Sequence, residues 1–328
     1  MKKIGIGIIG LGYIGKLHMR HSLKLPNINL VGVADFSKKA QKEAKSFGVK
    51  KIFSNYEQLL KEPEIDAVIV ALPTHLHLPC ARDVAEASKH VFLEKPIARS
   101  VDEGEKILSY VQKNSVKLMM GYQLRFNKVF RDLKDKIDDG VLGDVELAYA
   151  TFISSGPFFH RADSHTPLRV PEWWFNKELT GGGALIDVGS HLINLLRWYF
   201  GEITNVKCHL GYRYNLDFED GATCFAKFES GTTAVISAGW FSQAFNLGVD
   251  CYGSVNHAFA KHLSPNRLIA ATQMLTTGMS DFHRPHFDEL NYFAQSLLAD
   301  IQPNPSGKDG LKDLQAISQA YQNSMGLD

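Results

Sequence analysis

Several things are scarce in this chain of 328 residues, and each shortage excludes a class of protein. There are four cysteines, Cys80, Cys208, Cys224 and Cys251, and they form no C-x-x-C pair. Scattered in this way they argue against a zinc site and against disulfides, and for free thiols in a reducing compartment. Charge of one sign is also missing: 36 Lys and Arg balance 35 Asp and Glu, for a net charge of +1. No field is available to hold a nucleic-acid backbone. No apolar run approaches the roughly 20 residues that span a bilayer. Met1–Lys2–Lys3 and the apolar residues after them resemble a leader peptide. Glycines interrupt that run, however, and its continuation Lys16–Leu17–His18–Met19–Arg20–His21 is charged, so a strand entering a nucleotide fold explains it better. The expectation is a cytoplasmic protein with no membrane partner and no nucleic-acid partner. Internal repeats and low-complexity tracts are absent from the sequence.

What is present is the make-up of an ordinary globular protein. Hydrophobic residues make up 45% and charged residues 22%. The length suggests two domains and a core that buries roughly 75% of the unfolded surface, so no covalent staple is needed.

The most informative stretch is Ile4–Gly5–Ile6–Gly7–Ile8–Ile9–Gly10–Leu11–Gly12–Tyr13–Ile14–Gly15. It reads as a short apolar strand running into a Gly-x-Gly-x-x-Gly turn, followed by a helix-compatible run to Lys24. Such a turn lets the backbone, at Gly10, Gly12, Tyr13 and Ile14, approach a pyrophosphate at a helix N-terminus. A second apolar strand, Ile28 to Ala34, ends in Asp35, 20 positions after Gly15. That is where a Rossmann unit places the acid that binds ribose hydroxyls. The carboxylate would repel a 2′-phosphate, so NAD is expected over NADP, although Lys38 and Lys39 lie nearby.

The first third of the chain alternates strand and helix. Ser37 is a plausible cap for a helix to Phe47. Asp66–Leu72, His90–Glu94 and Lys117–Gly121 are continuous apolar runs, as a parallel sheet covered on both faces requires. The fold class expected is α/β: a doubly wound Rossmann domain over residues 1–122, then an α+β domain over 123–328 with a large mixed, mostly antiparallel sheet. The second domain shows strand patterns at Val145–Ser154, Val206–Tyr214, Ala222–Phe228 and Thr232–Ala238. Glu229–Ser230–Gly231–Thr232 carries a hairpin signal, and the C-terminal part reads as two helices. Between the first two of those strands, Phe158 to Glu178 has no clear period. It is long for a structureless loop, and such loops are usually functional.

Four motifs appear in order: Gly10–Gly15; Ala71–Leu72–Pro73–Thr74–His75–Leu76–His77; Glu94–Lys95–Pro96; and Gly181–Gly182–Gly183–Ala184–Leu185–Ile186–Asp187–Val188–Gly189–Ser190–His191. With these motifs the chain resembles the glucose–fructose oxidoreductase / inositol dehydrogenase / rhizopine-catabolism (Gfo/Idh/MocA) family over nearly its whole length. The resemblance implies an NAD(P)-dependent oxidoreductase that acts on a sugar, a polyol or a derivative of one. It also implies a homodimer or homotetramer formed through the open face of the C-terminal sheet. Three positions depart from the family pattern: Thr74 and Gln123 stand where Asn is common, and Asn194 stands where an Asp often follows the His.

Taking hydride from a C–OH carbon requires a group to accept the hydroxyl proton, a donor to the oxygen, and a ring fixed beside the carbon. By the resemblance, Lys95 hydrogen-bonds the reacting oxygen and Pro96 is cis. Asp187 and His191 are four apart, so on a helix they share a face. His191 suits a general base and Asp187 its orienter and a substrate ligand; whether Lys95 or His191 moves the proton stays open. Thr74 and His77 are expected to line the nicotinamide side of the crevice, and Leu72, Pro73, Glu94, Lys95 and Gln123 are further cofactor-binding candidates. For His77 the alternative is a helix-start residue bonded to backbone. Arg125, Trp173 and Trp174 are substrate-side candidates, with one Trp expected to pack and the other to touch substrate. His160, Arg161 and Arg169 could bind an acidic substituent. His75–Leu76–His77 and His283–Arg284–Pro285–His286 lack a third ligand nearby, so no metal is expected. Two competing readings are a glycosidase that uses bound NAD for transient oxidation and a cofactor-sensing protein without catalysis. The Lys–Asp–His set argues against the sensor.

Overall fold

The computed structural model describes residues 2–157, 170–262 and 283–325. The chain separates into two compact units, one made of residues 2–123 and 283–311, the other of 124–262 and 312–325. The division at 122/123 read from the sequence assigns 283–311 to the second domain; in the structure these residues pack with the first unit.

The first unit is built on six parallel strands: β1 (Ile4–Ile9), β2 (Ile28–Ala34), β3 (Lys51–Phe53), β4 (Ala67–Val70), β5 (His90–Glu94) and β6 (Leu118–Gly121). Their order across the sheet is β3-β2-β1-β4-β5-β6. This is the doubly wound order, with the reversal between β1 and β4 where such sheets bind ligands. Every residue of β1 and of β4 is buried, as a sheet covered on both faces demands. The crossovers contain α1 (Tyr13–Ser22), α2 (Lys38–Ser46), α3 (Tyr56–Leu60), α4 (His77–Glu86) and α5 (Val101–Lys113). Ser37 caps α2 as the sequence suggests, accepting from the Ala40 amide at 3.4 Å, and Ser100 caps α5 in the same way.

The second unit carries α6 (Lys128–Asp138), α7 (Lys177–Thr180), α8 (Ser190–Phe200) and a six-stranded sheet. Its strands are β7 (Val145–Ile153), β8 (Ile203–Gly211), β9 (Gly221–Phe228), β10 (Thr233–Gly239), β11 (Asn246–Gly253) and β12 (His257–His262), in the order β12-β11-β7-β10-β9-β8. All pairs are antiparallel except β7 with β10. The fold class is the α/β arrangement expected. Of the C-terminal helices, α9 (Arg284–Leu298) lies in the first unit, and α10 (Gly307–Gln322) contributes residues from 312 onward to the second.

One expectation about the cysteines is corrected. The β8–β9 register sets Cys208 directly opposite Cys224, 16 residues away, and the two sulfurs are joined as a disulfide. Strand pairing produced this neighbour, which no local cysteine spacing announces. Cys80 and Cys251 are free and buried. Among the described residues no helix is long and apolar enough to cross a membrane.

Candidate active site

The cofactor side belongs to the first unit. The chain leaves β1 at Gly10 with a left-handed φ of 89°. At Gly15 a Cβ would lie 1.9 Å from the Gly10 carbonyl oxygen, so only glycine lets α1 pack this closely on the turn. Gly12 differs: a Cβ there would meet nothing within 4 Å. Gly12 also precedes α1 without a side-chain cap, and the first turn of α1 holds no acid. Gly12 and Tyr13, which lead into α1, are exposed, and a helix N-terminus favours an anion. Beside it, Asp35 follows β2 and accepts from the Leu11 amide at 2.6 Å and the Ser37 amide at 2.7 Å. These bonds fix the carboxylate against the glycine turn. Tyr13 and Ile14 begin α1 next to it, and Tyr13 is exposed.

The ends of β4 and β5 carry the next motifs. Leu72 and Pro73 are half-buried after β4, and Thr74 opens a short 3₁₀ turn, buried. His77 is buried, with Nδ1 2.9 Å from the Pro96 carbonyl oxygen and Nε2 2.9 Å from that of Leu72. Burial pulls its pKa down against those two carbonyls. The backbone bonds of the alternative reading for His77 are thus present: the ring ties the Leu72 and Pro96 loops together.

Lys95 follows β5, half-buried, and its bond to Pro96 is cis as the resemblance implies. Glu94, the last residue of β5, lies 2.7 Å from Nε2 of the buried His18 on α1. Burial works to raise the Glu94 pKa, but the hydrogen bond and charge of His18, then His286 and Lys95, outweigh it and lower it. On α9, the wholly buried Glu289 is pushed well above the carboxylate range, first by burial and then by Glu94. His18 and Glu289 were not singled out from sequence; a histidine inside an amphipathic helix gives no signal of the acid it will meet. Gln123, half-buried, ends the first unit.

In the second unit, Leu185–Gly189 forms a π-helical turn that runs into α8. Asp187 and His191 thus sit four apart on one continuous helical segment. A π turn inserted in a helix recurs at functional sites. The Ser190 hydroxyl donates to the Asp187 carbonyl at 2.8 Å. Asp187 is half-buried, and His191 is buried with its ring 5.8 Å from that of Phe152. Trp174 packs beside Trp240 against a core of Ala184, Val188, Phe218 and Ala238, while Trp173 contacts Trp174 and stays outside that cluster. The division of labour expected for the two Trp residues assigns the packing role to Trp174.

Arg125 sits differently from its expected substrate role. It is buried, with Nε donating to Asn194 Oδ1 at 2.7 Å, and Asn194 in turn donates to Asp313 at 2.6 Å. Asp313 is paired with Arg197, which also grips Glu202. This network neutralises a buried acid that burial pushes up, and it engages Arg125 and Asn194 structurally. His160, Arg161 and Arg169 lie outside the described residues. Among the described residues no group of three His, Cys, Asp or Glu could hold a metal ion.

A parallel sheet in this order, with a glycine turn after β1 and an anchored acid after β2, is the arrangement of a dinucleotide-binding domain. The chain belongs to the Gfo/Idh/MocA family: residues 4–122 match its "Oxidoreductase family, NAD-binding Rossmann fold" and residues 130–255 its "GFO/IDH/MocA C-terminal domain". It is accordingly a dehydrogenase acting on CH–OH groups. An uncharacterized oxidoreductase, YrbE of Bacillus subtilis (strain 168), is 29% identical over 99% of this chain and 95% of its own. Myo-inositol 2-dehydrogenase of Thermotoga maritima is 24% identical over 93% of this chain and 91% of its own. The solved structure of levoglucosan dehydrogenase in complex with NADH and levoglucosan shares the fold with a TM-score of 0.83, at 20% identity, covering 98% of this chain and 97% of that one.

Proposed function

We propose that this chain is an NAD-dependent dehydrogenase of a cyclic polyol or sugar, with Lys95, Asp187 and His191 acting on the same hydroxyl. The observation that carries the cofactor half is the open cradle at Gly12 beside the anchored Asp35. The amides that open α1 would hold the pyrophosphate and Asp35 the ribose hydroxyls. A carboxylate held by two amides is poorly placed to accept a 2′-phosphate, and the next residue, Phe36, 88% exposed, offers no cation to one. When bound, NAD supplies the hydride acceptor at nicotinamide C4. Lys95 donates to the reacting oxygen and stabilises charge on it. His191 accepts the hydroxyl proton, and Asp187 orients the substrate and the imidazole. The relatives support the substrate class: one is named for myo-inositol, and another is solved with levoglucosan.

Oligomerisation through the second sheet belongs to the same proposal. Tyr149, Phe225, Tyr252 and Phe259 are exposed on one face of β7, β9, β11 and β12. The test of function is a screen of inositols, aldoses, anhydrosugars and sugar phosphates for reduced-nicotinamide absorbance with NAD. A hydroxylated ring oxidised with NAD supports the reading. Inactivity across the panel, or net glycoside hydrolysis with no reduced cofactor released, contradicts it.

A further inference from the structure

The buried carboxylate of Glu219, between β8 and β9, is unused by the chemistry above, yet it organises the segment that carries Asp187 and His191. The π turn at Leu185–Gly189 has no side-chain cap of its own. Its leading amides go instead to Glu219, 36 and 34 residues further along the chain. The Gly183 amide donates to the two carboxylate oxygens at 3.1 and 3.2 Å, and the Leu185 amide to Oε1 at 2.9 Å. Between them, the Ala184 amide donates to the Glu219 carbonyl at 3.1 Å. From α10, Tyr321 Oη donates to the same Oε1 at 2.8 Å.

This brace explains two of the three glycines. A Cβ at Gly183 would stand 1.8 Å from the Glu219 carbonyl oxygen. One at Gly182 would stand 2.3 Å from the Tyr321 hydroxyl, at a φ of 158°. Burial pushes the Tyr321 pKa well up, and the charge of Glu219 adds to it, so the phenol keeps its proton to donate. Burial also raises Glu219, opposed by the amides and by Tyr321. All of these groups lie in the second unit.

We propose that Glu219, steadied by Tyr321, is a positioning residue that sets the orientation of Asp187 and His191 by holding the start of their helical segment. The inference rests on the reading that Asp187 and His191 act on the substrate. Glu219 itself touches neither substrate nor cofactor. Misplacing a reacting group by about 1 Å costs about 100-fold in rate. Loss of the brace therefore lowers kcat while the cofactor, held by the first unit, binds as before.

The experiment compares Glu219→Ala, Glu219→Gln and Tyr321→Phe with Asp187→Asn and His191→Asn, recording kcat, KM for NAD and the folded fraction of each. Glu219→Ala is expected to lower kcat about 100-fold with KM for NAD within about twofold of wild type. Glu219→Gln, which keeps the oxygen that takes three of the bonds, recovers most of that loss, and Tyr321→Phe falls between. If Glu219→Ala does not fold, the Gln and Phe variants carry the comparison: kcat loss per folded molecule supports the brace. Wild-type kcat per folded molecule in the Glu219 and Tyr321 variants, with His191→Asn inactive, overturns the brace alone. Full activity in His191→Asn and Asp187→Asn overturns the underlying reading and the brace with it.

Discussion

His18 Nε2 lies 2.7 Å from Glu94 Oε1, and this bond joins the helix after the glycine turn to the residue before Lys95. The His18 ring also lies edge-on to Phe92 on the same strand, at 5.1 Å. Without His18, Glu94 would stand near Glu289 with its strongest partner gone. Breaking a buried pair by removing one partner costs about 3 kcal/mol or more. His18→Leu is expected to lower the unfolding free energy by that amount, read as a lower urea midpoint with an unchanged slope. A midpoint within error of wild type would show that the contact contributes nothing.

His21 predicts acid sensitivity. Burial, then the charges of His18, His286, His283 and Lys24, lower its pKa from the ordinary 6.5 to about 3. The folded state therefore binds fewer protons than the unfolded state between those values, and stability falls as pH drops from 6.5 toward 3. Between those values one such group contributes a slope of about 1.4 kcal/mol per pH unit, so its contribution to stability is fully present above pH 6.5 and lost progressively in acid. Urea midpoints across this range should fall less steeply in His21→Leu than in wild type. Parallel curves would remove His21 as the cause.

Gly12 and Gly15 separate cofactor binding from folding. A methyl at Gly12 meets open space, so Gly12→Ala should keep wild-type thermal stability and raise KM for NAD at least about tenfold by standing where the pyrophosphate lies. A methyl at Gly15 meets backbone at 1.9 Å, so Gly15→Ala should lose about 3 kcal/mol of stability. Equal effects of the two on both quantities would contradict the cradle.

Asp35 predicts coenzyme choice. Asp35→Ser removes the charge that repels a 2′-phosphate and frees the Leu11 amide. The ratio of kcat/KM for NAD over NADP should drop at least about tenfold, a differential of about 1.4 kcal/mol. A wild-type preference for NADP would contradict the assignment outright.

The first sheet was legible because parallel strands buried on both faces are written as continuous apolar runs; His90–Glu94 and Ile28–Ala34 appear with the ends read from sequence. Asp35 was legible for the same reason, since the strand before it fixes its place. The strands β11 and β12 were not. Asn246–Gly253 carries Gly and Asn inside the strand, and His257–His262 is short and half polar. Burial was the other hidden quantity. Arg125 and His77 carry the residue types of a ligand site, and only tertiary contacts reveal that one is bonded to Asn194 and the other to two carbonyls. The return of 283–311 to the first unit and the meeting of Cys208 with Cys224 are likewise long-range facts that no local pattern encodes.

The proposed chemistry stands or falls most directly on Lys95→Ala, measured for both NAD affinity and turnover with an accepted ring substrate. NAD should bind within about twofold of wild type, while kcat falls at least about 100-fold, the scale of losing a positioned donor or proton-transfer group. Turnover at the wild-type rate, with NAD bound normally, would show that the amine has no part in the reaction.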